Sequence, residues 1–192
     1  MSNQAAYLDV KGQEFRIGSA AIPKPDPTEV IVKNHAVAVN PIDWKIQHYG
    51  FHITSWPMVV GCDVSGEVIE VGSDVKHLQK GDRVIAHCIS LATQDNRHGG
   101  YQLYSATPAA TTAKIPESIS YSEASVLPLA LDTAGSALFS PCEQGFMGLE
   151  MPSLAPTQGD KTVVIYGASS SVGAIAVQLA VASGAYVIAV AS

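Results

Sequence analysis

The stretch Thr162-Val-Val-Ile-Tyr-Gly-Ala-Ser-Ser-Ser-Val-Gly-Ala-Ile-Ala-Val-Gln-Leu-Ala180 decides how this chain is read. Residues 162–166 are a β-branched apolar run of strand length. A Gly/Ser turn follows, and a helix opens at Ser171–Val172, placing Ile175, Leu179 and Ala182 on one face. Gly184 supplies a left-handed stop, and residues 185–191 form a second apolar run. Strand, tight turn, helix and strand make a parallel βαβ unit. The helix N-terminus of such a unit offers unpaired backbone N–H groups to an anion.

The turn itself is Gly167-Ala-Ser-Ser-Ser-Val-Gly173. Against the dinucleotide fingerprint GxGxxG, the first two glycines are Ala168 and Ser170, and Gly173 remains. Small residues still allow the backbone to approach a pyrophosphate, and Ser169, Ser170 and Ser171 add hydroxyl donors. Gly167, Ser169, Ser170, Ser171, Val172 and Gly173 are therefore candidate cofactor-binding residues. Without a ligand, the same pattern is an ordinary strand–turn–helix. The second strand decides which dinucleotide is expected. An NAD site ends that strand with Asp or Glu, which bonds the ribose 2′-OH. Here Val187-Ile-Ala-Val-Ala-Ser192 ends in serine, which accommodates a 2′-phosphate. NADP is the predicted cofactor, with Ser192 among its contacts.

Upstream, the chain changes character. Residues 1–118 read as short strands separated by Gly/Pro turns: residues 29–39, 66–71, 82–86 and 100–104, with turns at 23–27, 72–74, 80–82 and 98–100. This spacing predicts a small β-rich barrel. Ser120-Tyr-Ser-Glu123 is a capping box that opens a short helix, which Pro128 should end or kink. A second helical stretch, 129–139, leads into a Pro/Gly-rich loop over 140–161. The expected organisation is a β-rich domain over 1–118, connecting helices and loop over 119–161, and the start of an α/β Rossmann domain over 162–192.

Composition bounds the function classes. The chain has 192 residues, 47% hydrophobic and 15% charged, with a net charge of −6. That balance argues against nucleic acid or an anionic membrane as partner. There is no run of eighteen apolar residues and no basic segment ahead of an apolar one at the N-terminus, so neither a membrane span nor a signal peptide is expected. Cys62, Cys88 and Cys142 are odd in number and far apart, which predicts neither a disulfide framework nor a zinc ribbon. A reduced, cytoplasmic setting is the expectation.

Three further segments carry a resemblance: Val39-Asn-Pro-Ile-Asp-Trp-Lys45, Pro57-Met-Val-Val-Gly-Cys-Asp63 and Val71-Gly-Ser-Asp-Val-Lys-His-Leu-Gln-Lys-Gly-Asp-Arg-Val84. Taken in order with the Gly/Ser turn, they resemble the medium-chain dehydrogenase/reductase superfamily from end to end of the chain. The resemblance implies a GroES-like first domain followed by the first βαβ unit of a doubly wound nucleotide domain, left incomplete. Zinc alcohol dehydrogenases place a cysteine where this chain has Asn40, a His-Glu pair where it has Cys62-Asp63, and a third ligand near Leu129. A catalytic zinc needs three protein ligands of N, S or O type, so no metal is expected. The segments 40–45 and Leu131-Asp-Thr-Ala-Gly135, with the insert 148–154, look like fungal trans-enoyl reductases that partner polyketide synthases.

That branch implies NADPH-dependent reduction of an activated C=C in an enoyl thioester, free or carrier-bound. Hydride goes to the β-carbon and a proton to the α-carbon. The residues expected near the nicotinamide and its ribose are Ile42, Asp43, Trp44 and Lys45, with Thr133 beside them. Lys45 and Thr133 are the catalytic candidates, Lys45 as a donor to the ribose or to the enolate. Asn40 and Asp43 serve equally well to close a turn, and Lys45 as a surface residue after it. His87, Cys88, His48, His52 and Tyr49 fit packing or solvated roles better than chemistry. Two alternatives stand beside the enoyl reductase: a quinone oxidoreductase, and a C-terminally truncated, non-catalytic chain that binds no cofactor. The last follows from two parallel strands and one helix, which leave sheet edges unpaired.

Overall fold

The structure, a computed structural model, describes residues 2–191. It forms two compact units that meet at Pro128/Leu129. Among the described residues no helix is long and apolar enough to cross a membrane.

The first unit is built on antiparallel strands. These are β1 (Asn3–Leu8), β2 (Arg16–Ala20), β3 (Glu29–Ala38), β4 (Met58–Val59), β5 (Asp63–Val71), β6 (Arg83–His87), β7 (Tyr104–Pro108) and β8 (Thr112–Lys114). One sheet has the order β2-β1-β4 and the other β7-β3-β5-β6-β8. β3 is an interior strand, paired with β7 on one side and β5 on the other; its residues 29–32 are buried on both faces, whereas from Lys33 onward half-buried and exposed positions alternate. Its register sets Val30 against Val71 and Val32 against Val68, with irregularities at Ile31/Val32 and Asn34/Ala36. Val30, Val32, Val68, Leu78 and Val84 close the main core, each worth about 1.5–3 kcal/mol on full burial.

The expected strand over 100–104 is corrected. β7 begins at Tyr104, and the preceding residues instead tie the two sheets together. Ala6 N–H donates to Tyr101 O, Leu103 N–H to Gln4 O, and Asn34 N–H to Leu103 O. The Gln102 amide fixes that segment by donating to Asn96 O, Arg97 O and Gly99 O. These partners lie outside any strand pattern.

A helix, α1 (Pro41–Tyr49), stands where the sequence reading has a turn. Short α2 (Ser90–Thr93) and α3 (Tyr121–Ala124) complete the unit. α3 has the expected Ser120/Glu123 capping box. It packs with the β-rich unit rather than in a connecting segment: Ser65 Oγ donates to Tyr121 O at 2.6 Å, and the His35 and Tyr121 rings stack at 4.5 Å. Pro128 does not kink this helix, which has already ended.

The second unit holds α4 (Pro128–Phe139), β9 (Thr162–Tyr166), α5 (Ser171–Ala182) and β10 (Tyr186–Val190). Pro128 occupies the first position of α4, where its missing N–H costs nothing. β9 and β10 pair in parallel, Val163 beside Val187 and Ile165 beside Ala189. The core joins Leu138, Leu149, Val163, Ile165, Ala180 and Ala185, with Ala176, Val177 and Leu179 packed against it. The core-facing residues of α5 are thus Gly173, Ala176, Val177, Leu179 and Ala180, of which Leu179 alone belongs to the expected Ile175–Leu179–Ala182 face. The opposite face of the sheet is bare, with Val164 63% and Tyr166 88% exposed.

Candidate active site

The candidate residues fall into two groups, one in each unit. The first surrounds the start of α1. Asn40 has extended backbone at the N-cap, Pro41 opens the helix, and Gly50 ends it in the left-handed conformation. The Asn40 N–H donates to Asp43 Oδ2 at 2.7 Å, and the Tyr101 hydroxyl donates to the same oxygen at 2.7 Å. Asn40 Nδ2 donates to Asp63 Oδ2 at 2.9 Å.

Asp43, expected at the cofactor, is held inside the unit. It is 2% exposed, and its carboxyl fastens the helix start to Tyr101. Its Oδ1 is buried without a hydrogen-bond partner. Burial raises its pKa, against the opposing pull of the Asn40 N–H and the Tyr101 hydroxyl. The same burial, with the Asp43 carboxyl alongside, pushes the Tyr101 phenol up.

The neighbours of Asp43 divide by face. Ile42 is half-buried and packs on Leu8, Ile46, Met58 and Val60. Trp44 is 52% exposed, and Lys45 is exposed with its Nζ 5.8 Å from the Trp44 ring centroid. Lys45 makes no ion pair among the described residues, so its ammonium is available to an oxyanion or a hydroxyl. Tyr101 is the residue that sequence reading missed here, because nothing local links it to Asp43 across 58 positions.

The second group is the Gly/Ser turn. Gly167 has φ 79°, a left-handed value suited to a residue without Cβ. Ser170 is the N-cap of α5, and its Oγ accepts from Gly173 N–H at 3.1 Å. A Cβ on Gly173 would overlap the carbonyl oxygen of Gly167, so only glycine lets the helix sit this close to the strand end. Gly167 N–H and Ala168 N–H both donate to Val190 O, fixing the turn against β10. Ser171 and Val172, in the first turn of α5, have no intrahelical acceptor for their N–H groups. Those two donors, together with the exposed Ser169 and Ser171 hydroxyls, form a cradle of the kind that holds a pyrophosphate. Thr133 is an exposed position on α4. Ser192 lies outside the described residues.

The donor set at the position of a catalytic zinc does not fit that metal. Asn40 presents an NH2 group engaged with Asp63, not a lone pair. Cys62 is 4% exposed, and burial with the carboxylates of Asp43 and Asp63 pushes its thiol up to about 12, so it stays protonated. Among the described residues no three His, Cys, Asp or Glu side chains come together to hold a metal ion. Cys88 is buried and its thiol is likewise pushed up. His48 and His52 are exposed, and His87 is half-buried at the end of β6.

Residues 26–117 match the alcohol dehydrogenase GroES-like domain. Over 98% of its length the chain is 42% identical to the dehydrogenase orsE of Emericella nidulans, covering 57% of that protein. It is 41% identical over 99% of its length to the trans-enoyl reductase himH of Aspergillus japonicus, covering 54% of it. Among solved structures, a mycobacterial protein complexed with NADPH superposes on 98% of this chain and 51% of its own, with a TM-score of 0.69 and 26% identity. The chain spans about half the length of the curated relatives it matches.

Proposed function

We propose that this chain, which belongs to the medium-chain dehydrogenase/reductase superfamily, carries cofactor and oxyanion residues of an NADPH-dependent reductase of activated C=C bonds. The observation that carries this reading is the turn at 167–173. Its left-handed Gly167, capping Ser170 and close-packed Gly173 leave the N–H groups of Ser171 and Val172 for a pyrophosphate. No carboxylate occurs after Asp160, so nothing in residues 161–192 repels a 2′-phosphate, which favours NADPH over NADH.

When bound, a nicotinamide would supply hydride to the β-carbon of the conjugated carbonyl, and the α-carbon would take its proton from water. The chain's own residues do the rest. Lys45 donates a hydrogen bond to the carbonyl oxygen as negative charge develops there, a role that needs an ammonium free of carboxylate partners. Trp44 keeps that ammonium against its ring face. Asp43, Asn40 and Tyr101 fix the start of α1 and so the direction of both side chains. Thr133 is assigned to the nicotinamide end. The reaction class follows the fungal relatives, and the substrate is an enoyl thioester, free or on a carrier of a polyketide synthase.

The test is NADPH oxidation by the protein with a crotonyl thioester and, separately, with a quinone. Reduction of the crotonyl thioester is the expected result. Reduction of the quinone alone would replace the enoyl reading with a quinone oxidoreductase. Absence of both, with no change in NADPH fluorescence on adding protein, would support a non-catalytic chain.

A further inference from the structure

His52 and Gln94 are the non-glycine residues with left-handed backbone among those described, at φ 64° and 57°. A Cβ disfavours that region, so each conformation needs an external hold. The Gln94 side chain supplies it to His52, and Gln94 itself is held as the cap of α2 by its N–H to Ser90 O. Gln94 Nε2 donates to His52 O at 2.7 Å and to Leu91 O at 2.7 Å. Its Oε1 accepts from Thr54 N–H at 2.8 Å and from the Thr54 hydroxyl at 3.0 Å. Both donors and both lone pairs of the amide are therefore used. One side chain at the end of α2 clamps the loop that follows α1.

What the clamp holds is a run of rings. Trp44 and Tyr49 lie 6.4 Å apart, Tyr49 and Phe51 stack at 6.3 Å, and Phe51 meets the His52 imidazole edge-on at 5.3 Å. Trp44 and Tyr49 are 52% and 57% exposed. The run starts beside the Lys45 ammonium and ends at the clamped loop. With Phe51 half-buried against the core as their anchor, the exposed Trp44, Tyr49 and His52 rings form a surface suited to a flat π-system, whose carbonyl end would meet Lys45.

We propose that the Trp44–Tyr49–Phe51–His52 belt receives the acyl part of the substrate as a conjugated acyl thioester, and that Gln94 is the residue that positions it. The proposal rests on the reductase reading, because Lys45 gives the belt its direction. A conjugated chain gains ring stacking that a saturated chain of equal length does not.

The experiment titrates the protein, without cofactor, with two probes, sorbyl-N-acetylcysteamine and hexanoyl-N-acetylcysteamine. The NMR signals of the Trp44 indole N–H and the His52 ring report binding. The dienoyl probe should bind about three- to tenfold more tightly than the saturated one. Gln94→Gly keeps the left-handed backbone but removes the clamp, and Trp44→Leu removes a ring while keeping bulk. Each should bring the ratio of the two affinities close to one, a selectivity loss that a general weakening of the fold would not produce. Equal affinities in the unaltered protein, or a ratio that survives both substitutions, would overturn the proposal. If Gln94→Gly does not fold, Trp44→Leu alone decides. A separate NADPH titration, followed at the Ser171 and Val172 amides, distinguishes the failures. Movement there with equal affinities in the unaltered protein removes the belt and leaves the reductase; stillness there, with a dienoyl preference that the substitutions abolish, removes the reductase reading and leaves the belt as a binding surface.

Discussion

Asp43 carries a conflict that a single substitution exposes. Its Oδ2 accepts two good hydrogen bonds, while its Oδ1 is buried without a donor. Asn at this position keeps an acceptor for Asn40 and Tyr101 and removes the buried charge. Because folding raises the Asp43 pKa, the stabilisation tied to its protonated form is complete below the unfolded value of about 3.9 and is lost as pH rises through the folded value. Asp43→Asn should therefore gain in Tm relative to the unaltered protein as pH rises from about 4 to neutrality. A pH-independent difference would show that Asp43 titrates normally. Asp43→Ala, which also leaves the Tyr101 hydroxyl unpaired, should cost about 1–3 kcal/mol. Lys45 calls for a kinetic test. As an oxyanion donor, its replacement by Met should lower kcat about 10²–10³-fold with NADPH affinity nearly unchanged. A loss of NADPH affinity at constant kcat would instead assign Lys45 to the ribose.

At the scale of elements, the strand–turn–helix around Gly167 and Gly173 is legible in local sequence because its geometry rests on neighbours. Ser170 caps three residues on, and Gly173 packs on Gly167 six residues back. The Ser120/Glu123 box is legible for the same reason. α1 had its signals in view: Asn40 at the N-cap, Pro41 at the first position, Asp43 at the third and Gly50 as the stop. The sequence reading takes Asn40 and Asp43 as residues that close a turn, and in the structure they do so as the capped first turn of this helix. The strand misplaced to 100–104 had no such signal. Gly100 and Gln102 are spent on Gly61 and on the 96–99 segment, contacts that only the fold creates. Two substitutions separate capping from packing in α5. Ser170→Ala should cost about 1 kcal/mol through the lost cap. Gly173→Ala should cost about 1–3 kcal/mol by forcing turn and helix apart, and should weaken NADPH binding more than Ser170→Ala does. Thermal melts with NADPH titrations of both variants test this, and equal effects on binding would mean that the close approach is not what the cofactor needs.

For the whole molecule, the fold class follows from short Gly/Pro-punctuated strands giving way to one βαβ unit. The candidate site was less legible than the fold. Trp44, Lys45 and the turn are exposed where a ligand can meet them, but the inward rotation of Asp43 depends on Tyr101, far along the chain. The clamp between Gln94 and His52 likewise joins residues 42 positions apart. What unites these parts is the claim that the turn at 167–173 holds NADPH. The most direct test is a titration of the protein with NADPH, and in parallel with NADH, read at the backbone amide signals of Ser171 and Val172. Both signals should move with NADPH, and less with NADH at equal concentration. Signals that stay in place at the highest NADPH concentration, or that respond equally to NADH, would contradict the account.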